Sequence, residues 1–454
     1  MKLGQLRKLI EATYCLFERY SISLTRIFFF ACFFFGMLLI TWLNHPREYF
    51  YTWLGIVWAD VSGYFIYLPA TFYYGWNAAL VPPESFDLLG QGFFLQADGI
   101  IRTKYTYGVS LLLSPFYAFC DLWWRFGTNE TAMPGLSVTH QRAVLIGGVF
   151  YAAAGCYWLS SWLQRYAEPM AANIWTVVLF LGSNLLFYSI DCMGMSHVYS
   201  FALFAALLLL VKRLGDQGRV NPIAIGWWLP FGALLGLTIV IRPTNIMFLL
   251  PLWWLHRESI GLSLRNMSAL GLATAVLLVL LGGFLLVFPQ FLYWKYAFGN
   301  WITYSYSGEG FNWTDPALRH FWFALSGGMW WYMPILWLAL PAWWFWWRSD
   351  AKEAGVLFLF FFLVSYVNSC WWTWKFGGSY GARAMAEYSV LLSLPLVKRY
   401  PRFFPNLGGY KKFLWWLLLL FILFYSFKLT YSFKRYWWGV GDWDIAYLMK
   451  MIFK

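Results

Sequence analysis

The feature that most constrains this chain is a series of long apolar segments separated by short basic ones. The hydrocarbon core of a bilayer is about 30 Å thick, so a helix that crosses it needs about 20 mainly apolar residues. The first such segment, IFFFACFFFGMLLITWL, covers residues 27–43. With 61% hydrophobic and only 12% charged residues, the chain is unlike soluble globular proteins. We therefore expect an all-α, polytopic transmembrane helical bundle.

The predicted spans share a length and apolar character that suit a bilayer crossing. They lie at approximately 27–43, 142–163, 170–190, 197–211, 224–241, 267–288, 354–370 and 412–430, with shorter segments at 244–256, 325–346 and 384–397. The total is about eleven spans. Residues 1–400 are expected to form one transmembrane module, and residues 401–454 a C-terminal span and tail.

Basic residues predict the orientation of these spans. The short basic loops are 164–169, 212–219, 256–265, 347–353 and 398–412, and Lys2, Arg7, Lys8, Arg19 and Arg26 precede the first apolar run. Because short loops rich in Lys and Arg stay in the cytoplasm, the N-terminus is expected there too. Residues 44–141 then form a long external first loop. Its two apolar stretches, about 62–80 and 105–124, are expected to lie as helices on the outer membrane surface.

The formal net charge of +13 raises the question of a nucleic-acid partner. The basic residues are dispersed among apolar segments and form no basic stripe with motif spacing. Anchoring of cytoplasmic loops to membrane lipids and a bound phosphate explain the charge better. We expect no nucleic-acid partner.

Asp60 is a lone carboxylate in the apolar and aromatic stretch WADVSGYFIYLP, residues 58–69. An ionisable residue near a membrane face is costly unless it is solvated or paired, so it is a candidate functional residue. Asp is also a good helix N-cap, and capping of the helix that follows is an equally simple explanation. The sequence leaves both interpretations open.

Asp191 and His197 lie in IDCMGMSH, between two predicted spans, where they could bind a ligand hydroxyl or a cation. Helix capping and solvation at the interface are the simpler explanation for this pair, which matches no zinc signature. Arg242 ends another span at the same face, and a guanidinium there can hold a phosphate through two hydrogen bonds. Its alternative role is that of an arginine that extends to the interface.

The segment WWTWKFGGSYGAR, residues 371–383, combines cations with glycines and tryptophans. Lys375 and Arg383 flank a glycine cluster whose exposed N–H groups could help to bind an anion, and Trp374 offers a flat face to a sugar ring or a lipid chain. An ordinary glycine-rich turn is the alternative. Glu309 lies in the external loop 304–316, where carbohydrate contact and simple solvation are both open.

These segments together resemble the GT-C superfamily of integral-membrane glycosyltransferases, in its bacterial, polyprenyl-phosphate-dependent form. The resemblance rests on the early Asp60 with Tyr64, Tyr67, Leu68 and Pro69, on the turn from Asp191 to His197, and on the segments KYTYGVSLLLSPFY, GLTIVIRPTNIMFLLPL, GEGFNWTDP and WWTWKFGGSYGARAMAEY. It covers roughly residues 25–400 and indicates the superfamily better than the substrate.

The resemblance implies transfer of a sugar, with inversion, from a polyprenyl-phosphate donor to a lipid or glycan acceptor at the outer face of a bacterial inner membrane. Asp60 occupies the position of the general base. Arg242, Lys375 and Arg383 would bind the phosphate. The residues expected to contact the substrate are Asp191, His197, Tyr64, Tyr67, Lys104, Trp374 and Glu309.

No cofactor is expected with certainty. Several relatives carry paired acids, whereas Asp60 lies between Ala59 and Val61. A divalent metal is therefore not favoured.

A transporter or flippase for a lipid-linked sugar is the alternative function, but transporters often show interrupted helices in corresponding halves of the chain. Here the long external loop follows the first span alone.

Overall fold

A computed structural model describes residues 3–96, 98–218, 224–403, 406–436 and 441–453. Lys2 and parts of the predicted loops 212–219 and 398–412 lie outside these ranges, and the side chains of residues 3–23, including Arg7, Lys8 and Arg19, are also outside the description. The orientation predicted from these basic residues stays a prediction.

The regular structure is almost entirely helical, as the apolar segments predict. The α-helices are α1 (Leu3–Asn44), α2 (Asp60–Phe65), α3 (Tyr67–Pro69), α4 (Ser85–Leu88), α5 (Gly108–Gly127), α6 (Val138–Leu163), α7 (Pro169–Leu181), α8 (Leu185–Ile190), α9 (Ser196–Gly218), α10 (Trp228–Ile241), α11 (Leu249–Arg265), α12 (Ala269–Phe298), α13 (Leu318–Phe323), α14 (Met329–Tyr332), α15 (Leu336–Ser349), α16 (Ala351–Ser369), α17 (Ser393–Phe403), α18 (Gly409–Tyr436) and α19 (Ile445–Phe453). Shorter helical turns cover Arg47–Tyr49, Ala70–Tyr74, Ala78–Leu80, Ile225–Trp227, Pro243–Phe248, Arg383–Met385 and Glu387–Leu392. Two short strands, β1 (Phe94–Leu95) and β2 (Ile101–Arg102), pair antiparallel with Phe94 opposite Arg102.

Six helices in the described part of the chain are long and apolar enough to cross a membrane. They are Leu24–Asn44 within α1, α6, Ser196–Asp216 within α9, α12, α16 and α18. Each coincides with a predicted span, so the prediction of a helical protein with several segments long and apolar enough to cross a membrane is confirmed.

The other five predicted spans are shorter or interrupted, and the count of eleven is not confirmed. The segment 170–190 breaks between α7 and α8, where Gly182 O accepts a hydrogen bond from Ile335 N at 2.8 Å. Pro334 precedes α15 and interrupts 325–346, because proline cannot supply the backbone donor that a continuous helix needs. The remaining three, 224–241, 244–256 and 384–397, each begin as a 3-10 turn.

Helices α6 and α9 form the centre of the bundle. In their apolar stretches 67% and 78% of the residues are buried, against 11% in α12. Helix α12 lies at the periphery and packs on α10 through glycines. A Cβ atom added at Gly232 of α10 would collide with the carbonyl oxygen of Val279, and one at Gly282 would collide with that of Leu229. Small residues bring helix backbones close together, which is the main packing device between membrane helices.

Both apolar stretches of the long first loop are helical, as predicted. Residues 60–74 form a nearly continuous helical run, and the second stretch forms α5. Their position relative to a bilayer stays a prediction. The run 60–74 packs against α5, and this arrangement places Asp60 next to the ends of α9, α10, α12 and α16.

Candidate active site

A cavity of about 400 Å³ opens where these helix ends meet. Its lining comes from segments that are far apart in sequence: Asp60, Tyr64, Lys104, Tyr105, Thr106, Met195, Ser196, His197, Ile241, Arg242, Pro243, Thr244, Trp294, Thr303, Tyr304, Ser305, Tyr306, Glu309, Phe311, Asn368, Trp371, Trp372, Thr373, Phe376, Gly377 and Arg383. A concave site with apolar walls and a few convergent polar groups is the usual form of a ligand site.

Asp60 is the first residue of α2, but its side chain does not cap the helix. Ala59 occupies the N-cap position with φ 49° and ψ −122°, a strained conformation for a residue with a Cβ atom. The Asp60 carboxylate instead accepts a hydrogen bond from the Tyr105 hydroxyl on Oδ1 and pairs through Oδ2 with Arg383 Nη2 at 2.9 Å. The capping alternative is therefore wrong.

Opposing effects determine the ionisation of this carboxylate. Burial raises the pKa of Asp60, but the Arg383 guanidinium, the Tyr105 hydrogen bond and the Lys104 ammonium lower it further, so the pKa lies below its ordinary value. Burial, and next the Asp60 charge, raise the pKa of Tyr105 well above its ordinary value. Asp60 is thus an ionised acceptor at neutral pH, beside a tyrosine that keeps its proton.

A second cluster in the cavity wall is centred on Glu387, which is fully buried. Its Oε1 pairs with Arg242 Nη1 at 3.0 Å, and its Oε2 lies 2.8 Å from His197 Nδ1. A buried carboxylate needs such partners because an unpaired buried charge is costly. Glu387 thereby fixes the positions of an arginine and a histidine that both line the cavity.

The third ion pair connects the first loop, residues 44–141, to the loop 304–316. Lys104 Nζ lies 2.5 Å from Glu309 Oε1 and 5.1 Å from the centre of the Tyr306 ring. The loop of Glu309 joins residues 371–372 through a bridge between Phe311 and Trp371 and a 2.8 Å bond from Trp372 N to Gly310 O. Two segments singled out in the sequence therefore form one wall of the cavity.

The charges in and behind the lining are paired one to one. Asp60 and Glu309 of the lining pair with Arg383 and Lys104, and Glu387, which lies behind the lining, pairs with Arg242. Each arginine uses one of its five N–H donors in its pair, so further donors remain for an anionic ligand. The site can therefore offer an ionised carboxylate and separate guanidinium groups to one ligand.

Aromatic rings supply most of the remaining wall. Tyr64 and Tyr105 lie with their ring centres 4.4 Å apart, and Tyr306 contacts both Tyr105 and Trp371 edge to face. Trp372, 60% exposed, stands at the rim, and its indole N–H donates to Glu309 Oε2 at 3.3 Å. Flat aromatic faces beside hydrogen-bonding groups suit a ring that is apolar on its faces and polar at its edge.

Six of the predicted site residues besides Asp60 meet in this cavity: Tyr64, Lys104, His197, Arg242, Glu309 and Arg383. The other four predicted residues lie outside its lining. Asp191 pairs with Lys434 Nζ of α18 at 3.2 Å and accepts from Asn44 at 3.1 Å. Tyr67 donates to Tyr105 O at 2.8 Å and lines a separate apolar groove.

Lys375 and Trp374 also point away from the cavity. The Lys375 ammonium pairs with Asp442 of the C-terminal segment, whose Oδ1 also accepts from Ser326 at 2.8 Å. Trp374 packs near His320, with ring centres 5.9 Å apart. These contacts tie the glycine-rich segment to the end of the chain and leave Arg383 as its cation in the cavity.

Sequence reasoning missed Tyr105, Tyr306 and Glu387 as site residues. Glu387 carried a usable signal, because it is a lone carboxylate in the predicted span 384–397, as Asp60 is in its own apolar stretch. The tyrosines carried none, since the chain contains 30 of them. Within the described residues, no group of three or more His, Cys, Asp or Glu side chains is placed to hold a metal ion.

Comparison with known proteins gives no relative on which to base a function. No protein-family model matches the chain, and no curated protein matches it either.

Proposed function

We propose that the chain is a membrane glycosyltransferase of the GT-C type, with about eleven spans, that uses Asp60 as its general base. It would move a sugar from a polyprenyl-phosphate donor to a cell-envelope acceptor, at the outer face of a bacterial inner membrane. One observation carries the proposal: an ionised carboxylate shares an aromatic cavity with separately held guanidinium groups, at a point where the ends of several long apolar helices meet.

The proposed sugar transfer needs a carboxylate and cations of this kind. In an inverting transfer the acceptor oxygen attacks the anomeric carbon while the bond to the phosphate oxygen breaks, and the phosphate leaves with the electron pair. The acceptor hydroxyl gives its proton to a carboxylate within hydrogen-bond reach. Cations stabilise the charge that develops on the departing phosphate. Asp60 would accept the proton, and an arginine would bind the leaving phosphate.

The geometry favours Arg242 over Arg383 for the phosphate. In an inverting reaction the attacking and leaving oxygens lie on opposite faces of the sugar ring. Arg383 contacts Asp60 directly, which puts it on the side of the base. Arg242 is held on Glu387 instead, and its remaining donors are free of the base. Lys375, paired with Asp442, would not take part.

The test compares the surface-glycan and lipid mass profiles of cells that produce the native protein, Asp60→Asn or Asp87→Asn at equal membrane abundance. Asp87 lies in the same loop and is exposed, and among the described residues its carboxylate accepts from Gln91 alone, at 2.9 Å, so its variant is the matched control. Loss of a general base costs about 10²- to 10⁴-fold in rate. We expect a hexose- or pentose-sized mass to be added by the native protein and the control, and to be absent with Asp60→Asn.

Full addition by Asp60→Asn would show that Asp60 is not the base. A lipid-linked sugar that changes sides of the membrane, with no mass added to any acceptor, would instead establish the transporter alternative.

A further inference from the structure

His197 has one ring nitrogen without a partner, in the wall of the cavity. The side chain is 2% exposed, its Nδ1 is bound to Glu387 at 2.8 Å, and its Nε2 is buried with no hydrogen-bond partner among the described residues. Leaving a buried polar atom unpaired is energetically costly. Such an atom in a ligand cavity indicates that the ligand supplies the missing partner.

Glu387 determines what kind of partner that is. An ionised carboxylate only accepts hydrogen bonds, so Nδ1 of His197 must carry the hydrogen. Arg242 already balances the charge of Glu387, and a protonated His197 would be a second, uncompensated cation in a buried place. His197 is therefore neutral, and its Nε2 presents a lone pair to the cavity. An ionised phosphate oxygen carries no hydrogen and cannot satisfy that lone pair, whereas a hydroxyl can.

We propose that the cavity binds a neutral, hydroxyl-bearing sugar ring, one hydroxyl of which donates a hydrogen bond to Nε2 of His197. Glu387 is the positioning residue that fixes the tautomer of His197 and, through its other oxygen, the place of Arg242. The hydroxyl contact and the phosphate contact are then held a fixed distance apart by one carboxylate. The identification of the ring as a sugar rests on the proposed function.

The contact can be tested without turnover. Protein labelled with ¹⁵N in its five histidines is placed in nanodiscs and titrated with hexyl β-D-glucoside. The parallel titrations use hexyl tetrahydropyranyl ether, which has the same ring and chain without hydroxyls, and hexyl phosphate. We expect the Nδ1–H tautomer for His197 in the free protein. Only the glucoside should move its Nε2 resonance upfield.

His256 is the matched control within the same sample. It is equally buried, its Nδ1 also lacks a partner in the described part of the chain, and it accepts from Trp162 Nε1 at 3.3 Å outside the cavity lining. Its resonances should not respond to any ligand. His256→Gln should bind the glucoside as the native protein does, whereas His197→Phe should bind it about tenfold more weakly, the loss expected for one hydrogen bond.

The variant Glu387→Gln tests whether Glu387 determines the tautomer of His197, which a purely structural role of Glu387 would leave unchanged. The glutamine amide donates to Nδ1, so the His197 hydrogen should shift to Nε2 and the tautomer should reverse. An Nε2–H tautomer in the native protein would overturn the proposal. Equal responses to the glucoside and the hydroxyl-free ether would overturn it too, as would protonation of His197 by hexyl phosphate. Glucoside binding at His197 without sugar transfer in the Asp60 experiment would retain this site and reject the transferase.

Discussion

Arg383 Nη2 lies 2.9 Å from Asp60 Oδ2, and the pair joins the beginning of the first loop to the glycine-rich segment before α17. Their side chains are 19% and 31% exposed, so water screens the pair only partly. A carboxylate held in this way can stay ionised in a mainly apolar cavity.

Arg383→Gln should move the acid limb of the pH–activity profile to higher pH. In the proposed reaction Asp60 must be ionised to accept a proton, so activity should fall as the pH drops through its pKa. Burial raises that pKa and Arg383 is the strongest influence lowering it, so removing the guanidinium raises it. The rate of sugar transfer is measured against pH, with Arg348→Gln in α15 as the control. An unmoved acid limb would mean that Arg383 does not control the ionisation of Asp60.

Asp191→Asn should destabilise the protein without raising the KM for substrate. Asp191 and Lys434 are 9% and 15% exposed, and removing one partner of a buried pair costs about 3–5 kcal/mol. The apparent Tm in detergent and the KM at low temperature are measured together. Asp216→Asn, in the more exposed pair with Lys212, should change stability by less than about 0.5 kcal/mol. A raised KM at unchanged Tm would support the substrate contact that the sequence suggested for Asp191.

Gly63→Ala should impair both stability and activity. A Cβ atom at this position would overlap Gly92 O and the ring of Tyr105, the residue that donates to Asp60. Overpacking of this kind typically costs about 1–3 kcal/mol. Thermal unfolding and transfer rate are compared with those of Gly36→Ala in α1, where nothing in the described part of the chain lies within 4 Å of the added atom. If Gly63→Ala equals the control in both measurements, Tyr105 is not held in place by this contact.

The fold class was predictable from sequence because membrane-crossing helices need long apolar runs, and six of the eleven predicted spans coincide with long helices. The interruptions were harder to predict. Gly182 and Pro334 are visible in the sequence, but membrane helices tolerate both residues when neighbouring helices satisfy the freed backbone groups. The bond between Gly182 O and Ile335 N is such a case, and it depends on tertiary structure.

The candidate site was predictable in its residue types and only partly in its partners. Lone charges in apolar segments identified Asp60 and Arg242, both of which line the cavity. Lys375 and Arg383 look alike in sequence, eight positions apart, yet one turns to Asp442 and the other to Asp60. That choice depends on where distant segments meet, which no local pattern encodes.

The three ion pairs of the cavity join residues 323, 205 and 145 positions apart. A ribosome adds about 5–20 residues per second, so roughly 16–65 s separate the synthesis of Asp60 from that of Arg383. Throughout that interval the carboxylate lacks its guanidinium and the cavity lacks a wall. A chain still being synthesised therefore lacks the complete cavity, which forms only when the last third of the chain has joined the helices made first.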